Sequence, residues 1–315
     1  MGKREGKVIL MAVCFLAVFA AGRYSGNLNA YIDWVKLGSF ASPASLHDLK
    51  DDRLLATIRE EAAKRRIEPI DARVDRVWKA IPGYNGLEVD IEQTYRLTRS
   101  SGSLDNIRYV YRETAPNVQL EELGPHPIYK GNPHKPMVSL MINVAWGNEH
   151  LEPILNTLDD ENVKATFFLD GSWLSKNVEL AKEIQKRGHE LANHAYSHPN
   201  MSQLSRERQR LEMVKTQTLL RDLLGVDNAL FAPPSGDYND LTVKIAHELK
   251  MKTVLWTIDT VDWKNPGPQW IVRKITQQLE PGAMILMHPT ESAKLALPDM
   301  IRNIKKQGLA LGTVS

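Results

Sequence analysis

The stretch Gly188-His189-Glu190-Leu191-Ala192-Asn193-His194-Ala195-Tyr196-Ser197-His198 is where the reading of the fold begins. Gly188 sits where a helical pattern should stop, Glu190–Asn193 has the length of a short strand, and two imidazoles leave the strand's end. Outward from it, apolar runs of strand length recur from Met137 to the end of the chain. They are Val138–Asn143, Ala165–Leu169, Glu190–Asn193, Ala229–Phe231, Thr253–Ile258, Ala283–Met287 and Leu309–Thr313. Helical patterns lie between them, such as Leu151, Ile154, Leu155 and Leu158, whose spacing puts all four on one face. Gly225 and Gly308 occupy further helix-stop positions. Strand–helix alternation implies parallel strands, which an open doubly wound sheet and a barrel both satisfy. Polar residues decide between them: Asn143 ends the first run, and His194, Pro233-Pro234, Asp259 and His288 follow later ones. Side chains from so many strand ends converge only if the strands close into a ring. The expected fold is α/β, an incomplete (β/α)7 barrel of deformed TIM-barrel type.

The first part of the chain reads differently. Leu46, Leu49, Leu54, Leu55 and Ile58 predict a helix from Ser45 to about Arg66, and a second short helix is expected over Ile70–Ile81. Glu88 to Tyr111, interrupted by Ser100-Ser101-Gly102-Ser103, reads as a hairpin. Residues 45–125 are therefore expected to form a small α/β accessory domain. Residues 126–136 form a Pro-rich linker, and 137–315 the barrel. At the N-terminus, Lys3, Arg4 and Lys7 precede an apolar run from Val8 to Ala21. That run is short of the roughly 20 residues a bilayer span needs. Residues 1–22 thus predict a signal peptide or signal anchor, with 23–44 as a tether. The expected location is extracytoplasmic, secreted or membrane-anchored at the cell envelope, with membrane contact only through this segment. Cys14 is the one cysteine and lies inside the apolar run, so the exported part has no disulfide. A net charge of +2 without an extended basic stretch argues against nucleic acid as a partner.

Three constellations carry chemistry. His194 and His198 are four apart at a strand end, so both can face one ion of zinc, cobalt or nickel type. A capping loop with two solvated histidines has the same sequence. His189 and His194 are five apart, which is not the spacing of a helical zinc-protease motif. Asp259-Thr260-Val261-Asp262-Trp263 and Leu286-Met287-His288 offer a carboxylate to fix an imidazole tautomer for proton donation, or a structural ion pair. Phe231-Ala232-Pro233-Pro234-Ser235-Gly236 is a rigid turn after a strand.

In order and spacing, these motifs resemble the polysaccharide deacetylase family (the NodB homology domain, carbohydrate esterase family 4) over residues 137–314. The flanks Ala165-Thr166-Phe167-Phe168 and Gly188-His189-Glu190 also match. The resemblance implies a deformed barrel that hydrolyses N-acetyl groups on peptidoglycan or chitin-like glycan with a divalent metal, zinc first, cobalt or nickel next. It implies His194 and His198 as metal ligands and His288 as general acid, oriented by Asp262. Trp263 then lines the sugar pocket, with Trp146, Pro233 and Pro234 on the substrate side, and the partner is N-acetylated cell-wall glycan.

The first motif departs from the family's pattern. Met141-Ile142-Asn143-Val144-Ala145-Trp146-Gly147 resembles a sporulation-associated branch, but Asn143 stands where the family has its base Asp. Val144 stands at the metal-binding carboxylate, and Ala232 at the Arg that pairs with the base. A carboxamide does not take a proton from water, and general base catalysis contributes about 10²–10⁴-fold. Deacetylation is therefore expected to be weak or absent, and metal occupancy reduced. Two readings follow, an enzyme of reduced activity and a glycan-binding pseudoenzyme that stacks sugar on Trp146, Trp173 and Trp263. Asn148, Glu149 and Asp170 lie just past strand ends, where a carboxylate could reach the water in place of the base, and they also read as helix caps or first-turn acids.

Overall fold

The computed structural model describes residues 46–101 and 106–315. The segments 1–22 and 23–44, Cys14, and part of the turn at Ser100–Ser103 lie outside the described residues. The chain groups into two compact units, one holding 46–64 with Val89–Val110 and the other Arg65–Glu88 with Tyr111–Ser315. Residues 65–88 and 111–125, expected within the accessory domain, thus group with the sheet.

In the first unit, α1 (Leu46–Arg65) supplies Leu54 and Ile58 to a small core with Val89, against which Ile91, Tyr95, Ile107 and Tyr109 pack. In the second unit, β1 (Arg73–Asp75) and β2 (Lys79–Ile81) form an antiparallel hairpin where a helix over Ile70–Ile81 was expected. The reason is local: Asp75 Oδ1 accepts the N–H groups of Val77 (2.7 Å) and Trp78 (2.9 Å), closing a turn a helix would not allow. The hairpin expected over Glu88–Tyr111 is corrected in part: strands at its two ends pair in a two-stranded sheet, but a helix lies between them. β3 (Gly86–Val89) leads into the helix α2 (Ile91–Ser100), and β4 (Tyr111–Thr114) follows. Asp90 caps α2 by accepting the Gln93 N–H at 2.9 Å. Ile91 and Tyr95 are four apart, a spacing that satisfies a helix face as well as a strand face.

The larger unit continues with β5 (Met137–Val144), α3 (Asn148–Asp160), β6 (Thr166–Leu169), α4 (Gly171–Lys176), α5 (Val178–Lys186) and β7 (Glu190–Asn193). Then come α6 (Arg206–Leu224), β8 (Leu230–Phe231), α7 (Asp240–Glu248), β9 (Lys252–Thr253), β10 (Ile258–Asp259) and α8 (Pro268–Gln278). β11 (Met284–Met287), α9 (Glu291–Lys306) and β12 (Ala310–Gly312) complete it. The sheet runs β10-β11-β5-β6-β7-β8-β9, with β12 against the start of β5, and every pairing is parallel. The single strand expected at Thr253–Ile258 is two. Its first part pairs with β8 and its last with β11, and Leu255 N–H donates to the Ile128 carbonyl between them (2.8 Å). The sheet therefore curls until residues 252–259 bond to both ends of its strand order.

Alternation along β5 separates two apolar layers. Val138, Leu140, Ile142 and Val144 pack outward with Leu151, Ile154 and Leu158 of α3. Met141 packs inward with Phe168, Ala192, Ala232 and Met284. Two cavities of about 430 and 370 Å³ lie beneath the N-terminal ends of the strands, lined by Ala229, Lys252 and Ala283 among others.

His189 is buried at the start of β7, its Nδ1 accepting the Ala165 N–H (3.3 Å) while its Nε2 has no partner. Burial pushes its pKa down to about 4. An unfolded chain takes this proton near pH 6.5, so the contribution of neutral His189 is complete above that pH. It is lost as pH falls toward 4, by up to about 3 kcal/mol. Urea unfolding at pH 7 and pH 5 is expected to show this loss in the wild type and a smaller one in His189→Asn, whose amide oxygen still accepts from Ala165.

Candidate functional site

The parallel ladder delivers the strand ends to one rim. Ile142 pairs with Met287 across β5 and β11, so the next residues, Asn143 near the end of β5 and His288 just past β11, lie at one level. On the other side Val144 and Asn193 both pair with Leu169, so Asp170 and His194 emerge together one step later. Alternation from inward-facing Met141, Phe168, Ala192 and Met284 gives Asn143, Asp170, His194 and His288 the inward parity. Ala232 is fully buried in the same inner layer.

His194 is buried, and its Nδ1 lies 2.8 Å from the Ala232 carbonyl. A carbonyl only accepts, so Nδ1 carries the hydrogen and Nε2 keeps a bare lone pair. Burial holds this imidazole neutral, with its pKa down to about 3. The rings of His194 and His198 meet edge to face, 5.2 Å between centroids. Ala195 (φ 60°) and His198 (φ 55°) both have left-handed backbone, a conformation that costs of order 1 kcal/mol or more for such residues.

Across the rim, Asp262 is buried in a turn after β10 and accepts twice from His288: from its main-chain N–H (2.6 Å) and from Nδ1 (2.8 Å). That pins the ring and turns Nε2 away from the carboxylate. Trp146 lies parallel to the His288 ring, 6.0 Å between centroids and 7° between planes, while remaining 47% exposed. Trp263 is 54% exposed with Lys264 Nζ 4.9 Å from its ring centre. Pro233 and Pro234 are buried beneath the turn they stiffen, and Trp173 is buried, so the stacking surface is carried by Trp146 and Trp263.

Asn143 is buried, and its Oδ1 has no partner. Asp170 caps α4 through Oδ1, which accepts from Trp173 N–H (2.8 Å) and Ser172 Oγ (2.6 Å), while Oδ2 is buried and unpartnered. Burial raises its pKa. Asn148 Oδ1 accepts from Trp173 Nε1 (2.6 Å), and Glu149 lies beside His150 (3.5 Å).

Family resemblance implies a divalent metal, but these residues do not fit a three-ligand site. Among the described residues no group of three or more His, Cys, Asp or Glu side chains is arranged to hold an ion. Val144 is wholly enclosed by the outer apolar layer. Sequence reading missed Glu212 of α6, which accepts from Tyr196 and Ser197 inside the histidine loop. On a helix surface a glutamate reads as solvated, and only the tertiary contact distinguishes it.

Gly147 (φ 82°) closes the rim, and a Cβ there would stand 2.0 Å from the Pro289 carbonyl oxygen. Gly147→Ala is expected to lower stability by about 2 kcal/mol or more through clash and strain together, and to displace Trp146 from His288. Thermal melts and tryptophan fluorescence check both. For Asp170, replacement by Asn preserves a good cap whereas Ala costs about 1 kcal/mol; equal melts for the two would remove the capping role.

A model of the family described as polysaccharide deacetylase matches residues 130–254. The Bacillus subtilis protein YlxY is 44% identical over 311 residues, spanning 98% of this chain and 96% of that one. A peptidoglycan-N-acetylglucosamine deacetylase of Bacillus cereus is 33% identical over 191 residues, 59% of this chain and 70% of its own length. Among solved structures, wild-type BA3943 of Bacillus anthracis, described as a CE4 family pseudoenzyme, matches with TM-score 0.75 and 43% identity. It covers 83% of this chain and 93% of that chain. A BA3943 mutant described as having restored enzymatic activity matches with TM-score 0.75 and 42% identity, over 83% of this chain and 96% of that one. With likeness of this extent to a deacetylase and to a CE4 protein, the chain belongs to the polysaccharide deacetylase family, carbohydrate esterase family 4.

Proposed function

We propose that this chain is a family member that binds N-acetylated cell-envelope glycan, of peptidoglycan type, without turning it over at the family's rate. The observation that carries the reading is the pairing of an intact acid half with a silent base half. Asp262 and His288 are bonded as a proton-donating dyad, while beside them the base position is the carboxamide of Asn143. An amide cannot store the proton that the attacking water must lose. Ala232 agrees with this: an arginine facing a neutral asparagine in the inner layer would be an unpaired buried charge.

Glycan binding draws on two exposed rings, Trp146 stacked on His288 and Trp263 next in sequence to Asp262, where sugar faces can stack. His194 and His198 are the pair that would meet a zinc ion. Lacking a carboxylate partner at Val144, they are proposed to hold it weakly, and cobalt or nickel no better. Relatives described as peptidoglycan-N-acetylglucosamine deacetylases support the glycan class. Placement outside the cytoplasm, by a cleaved or retained N-terminal segment, is part of the same proposal.

The bonded dyad also favours a second reading, slow hydrolysis. Acetate release from N-acetylated peptidoglycan fragments, with zinc or cobalt supplied, separates the two. The wild type is expected to be silent yet to bind the fragments by calorimetry, and Asn143→Asp/Ala232→Arg to gain about 10²-fold or more. Brisk turnover by the wild type would reject the non-hydrolysing reading, and absence of binding would reject the glycan site.

A further inference from the structure

One buried carboxylate lies outside all the roles above. Glu212 is 5% exposed on α6 and points at the loop between the two rim histidines. Its Oε2 accepts the N–H groups of Tyr196 (3.0 Å) and Ser197 (2.8 Å), and its Oε1 accepts the Ser197 hydroxyl (2.9 Å). One turn further along α6, Thr216 Oγ1 donates to the Ala195 carbonyl (2.7 Å), which also accepts from Gly171 N–H (2.9 Å). Ser172 N–H donates to the Tyr196 carbonyl at 2.8 Å. Asn193 accepts from Ala195 N–H (2.9 Å) and donates to the Met213 carbonyl (2.8 Å). Thus the N–H and C=O groups of Ala195 and Tyr196, and the N–H of Ser197, are all bonded. The fit leaves no slack: a Cβ on Gly171 would stand 2.3 Å from Thr216 Oγ1.

A buried carboxylate needs donors somewhere, so three bonds alone would mark only a stable loop. What distinguishes Glu212 is where they fall. All three lie within residues 196–197, between two positive-φ residues, one of which is His198 itself. Left-handed backbone at Ala195 and His198 relaxes unless something holds it. His194 has its own anchor in the Ala232 carbonyl, whereas His198 depends on the loop.

We propose that Glu212 is the positioning residue of the rim, fixing His198 against His194 by clamping the intervening main chain to α6. It touches no ligand and acts through the loop. The inference rests on the proposed function only in taking both imidazoles as part of the binding mouth.

The test uses the whole folded protein, 15N-labelled, with two spectroscopic readouts that need no ligand: amide hydrogen exchange and long-range imidazole spectra. Glu212→Asp keeps the charge but withdraws it by one methylene, and Glu212→Gln keeps the reach. Expected in Glu212→Asp are a loss of about tenfold or more in protection at Tyr196 and Ser197 and averaged His198 ring signals, with the His194 ring unchanged. Glu212→Gln is expected to retain the wild-type pattern, its amide oxygen serving both N–H groups and its amide N–H the Ser197 hydroxyl. Wild-type protection and an unchanged His198 ring in Glu212→Asp would overturn the proposal, as would a loss spread evenly along α6. Calorimetry with N-acetylated peptidoglycan fragments adds a third arm, in which Glu212→Asp weakens binding and Glu212→Gln does not. Should the wild type bind no fragment, the glycan reading fails while the two spectroscopic readouts still judge the role of Glu212.

Discussion

Everything at the rim depends on one segment hydrogen-bonding in two directions. Residues 252–259 give their first part to β8 and their last to β11, with Ile128 bridging the middle. One short segment thus supplies the strand at each end of the sheet's order, where a parallel sheet would otherwise expose β8 and β11. It also bends the sheet, so that chain ends lying far apart on an open sheet face one another. Asp262 follows β10, on the far side of the bridging segment from β9. Without the curl it would not reach the rim shared by His194 and Ala232.

The rim divides into two parts with different kinds of order. The Asp262–His288 side is held by side-chain bonds: one carboxylate takes two N–H groups of the same residue, and Trp146 covers the ring face. The histidine-loop side is held through main chain, with α6 and the start of α4 bonding the peptide groups of residues 195–197. Between them sit Asn143, neutral and without a partner for its oxygen, and Ala232, which fills its place with a methyl group and lends its carbonyl to His194. A neutral amide and a methyl group at these two positions thus sit among main-chain and side-chain bonds that hold both parts of the rim.

Much of this was legible in the sequence. Six of the seven strand-length runs became single strands of the sheet within about a residue at each end, because buried parallel strands and the helices covering them carry strong, distinct apolar patterns. Leu151, Ile154, Leu155 and Leu158 are all buried on one face of α3, and Gly188, Gly225 and Gly308 all have positive φ at helix ends. Readings failed where short elements left little pattern to read. Asp75 turned Ile70–Ile81 into a hairpin and Asp90 turned Ile91–Ser100 into a helix, and in each a side-chain-to-main-chain bond outweighed an ambiguous apolar spacing. The split at Thr253–Ile258 was invisible for another reason: both halves are apolar, and only their partners differ.

The sequence by itself determined the chemistry each position can perform. Asn143 cannot be a base, His194 and His198 are imidazoles, and Asp262 and His288 are a carboxylate and an imidazole, whatever the fold. Tertiary structure alone decided which of these groups meet and which side chains face solvent. It placed Val144 in an apolar layer, Trp173 in the core and Glu212 beneath the histidine loop. The physical reason is range. Side-chain chemistry and local periodicity are properties of a few neighbouring residues, but burial and hydrogen-bond partnership across 15 or more residues, as between Glu212 and Ser197, exist only once the sheet has curled and the helices have packed on it.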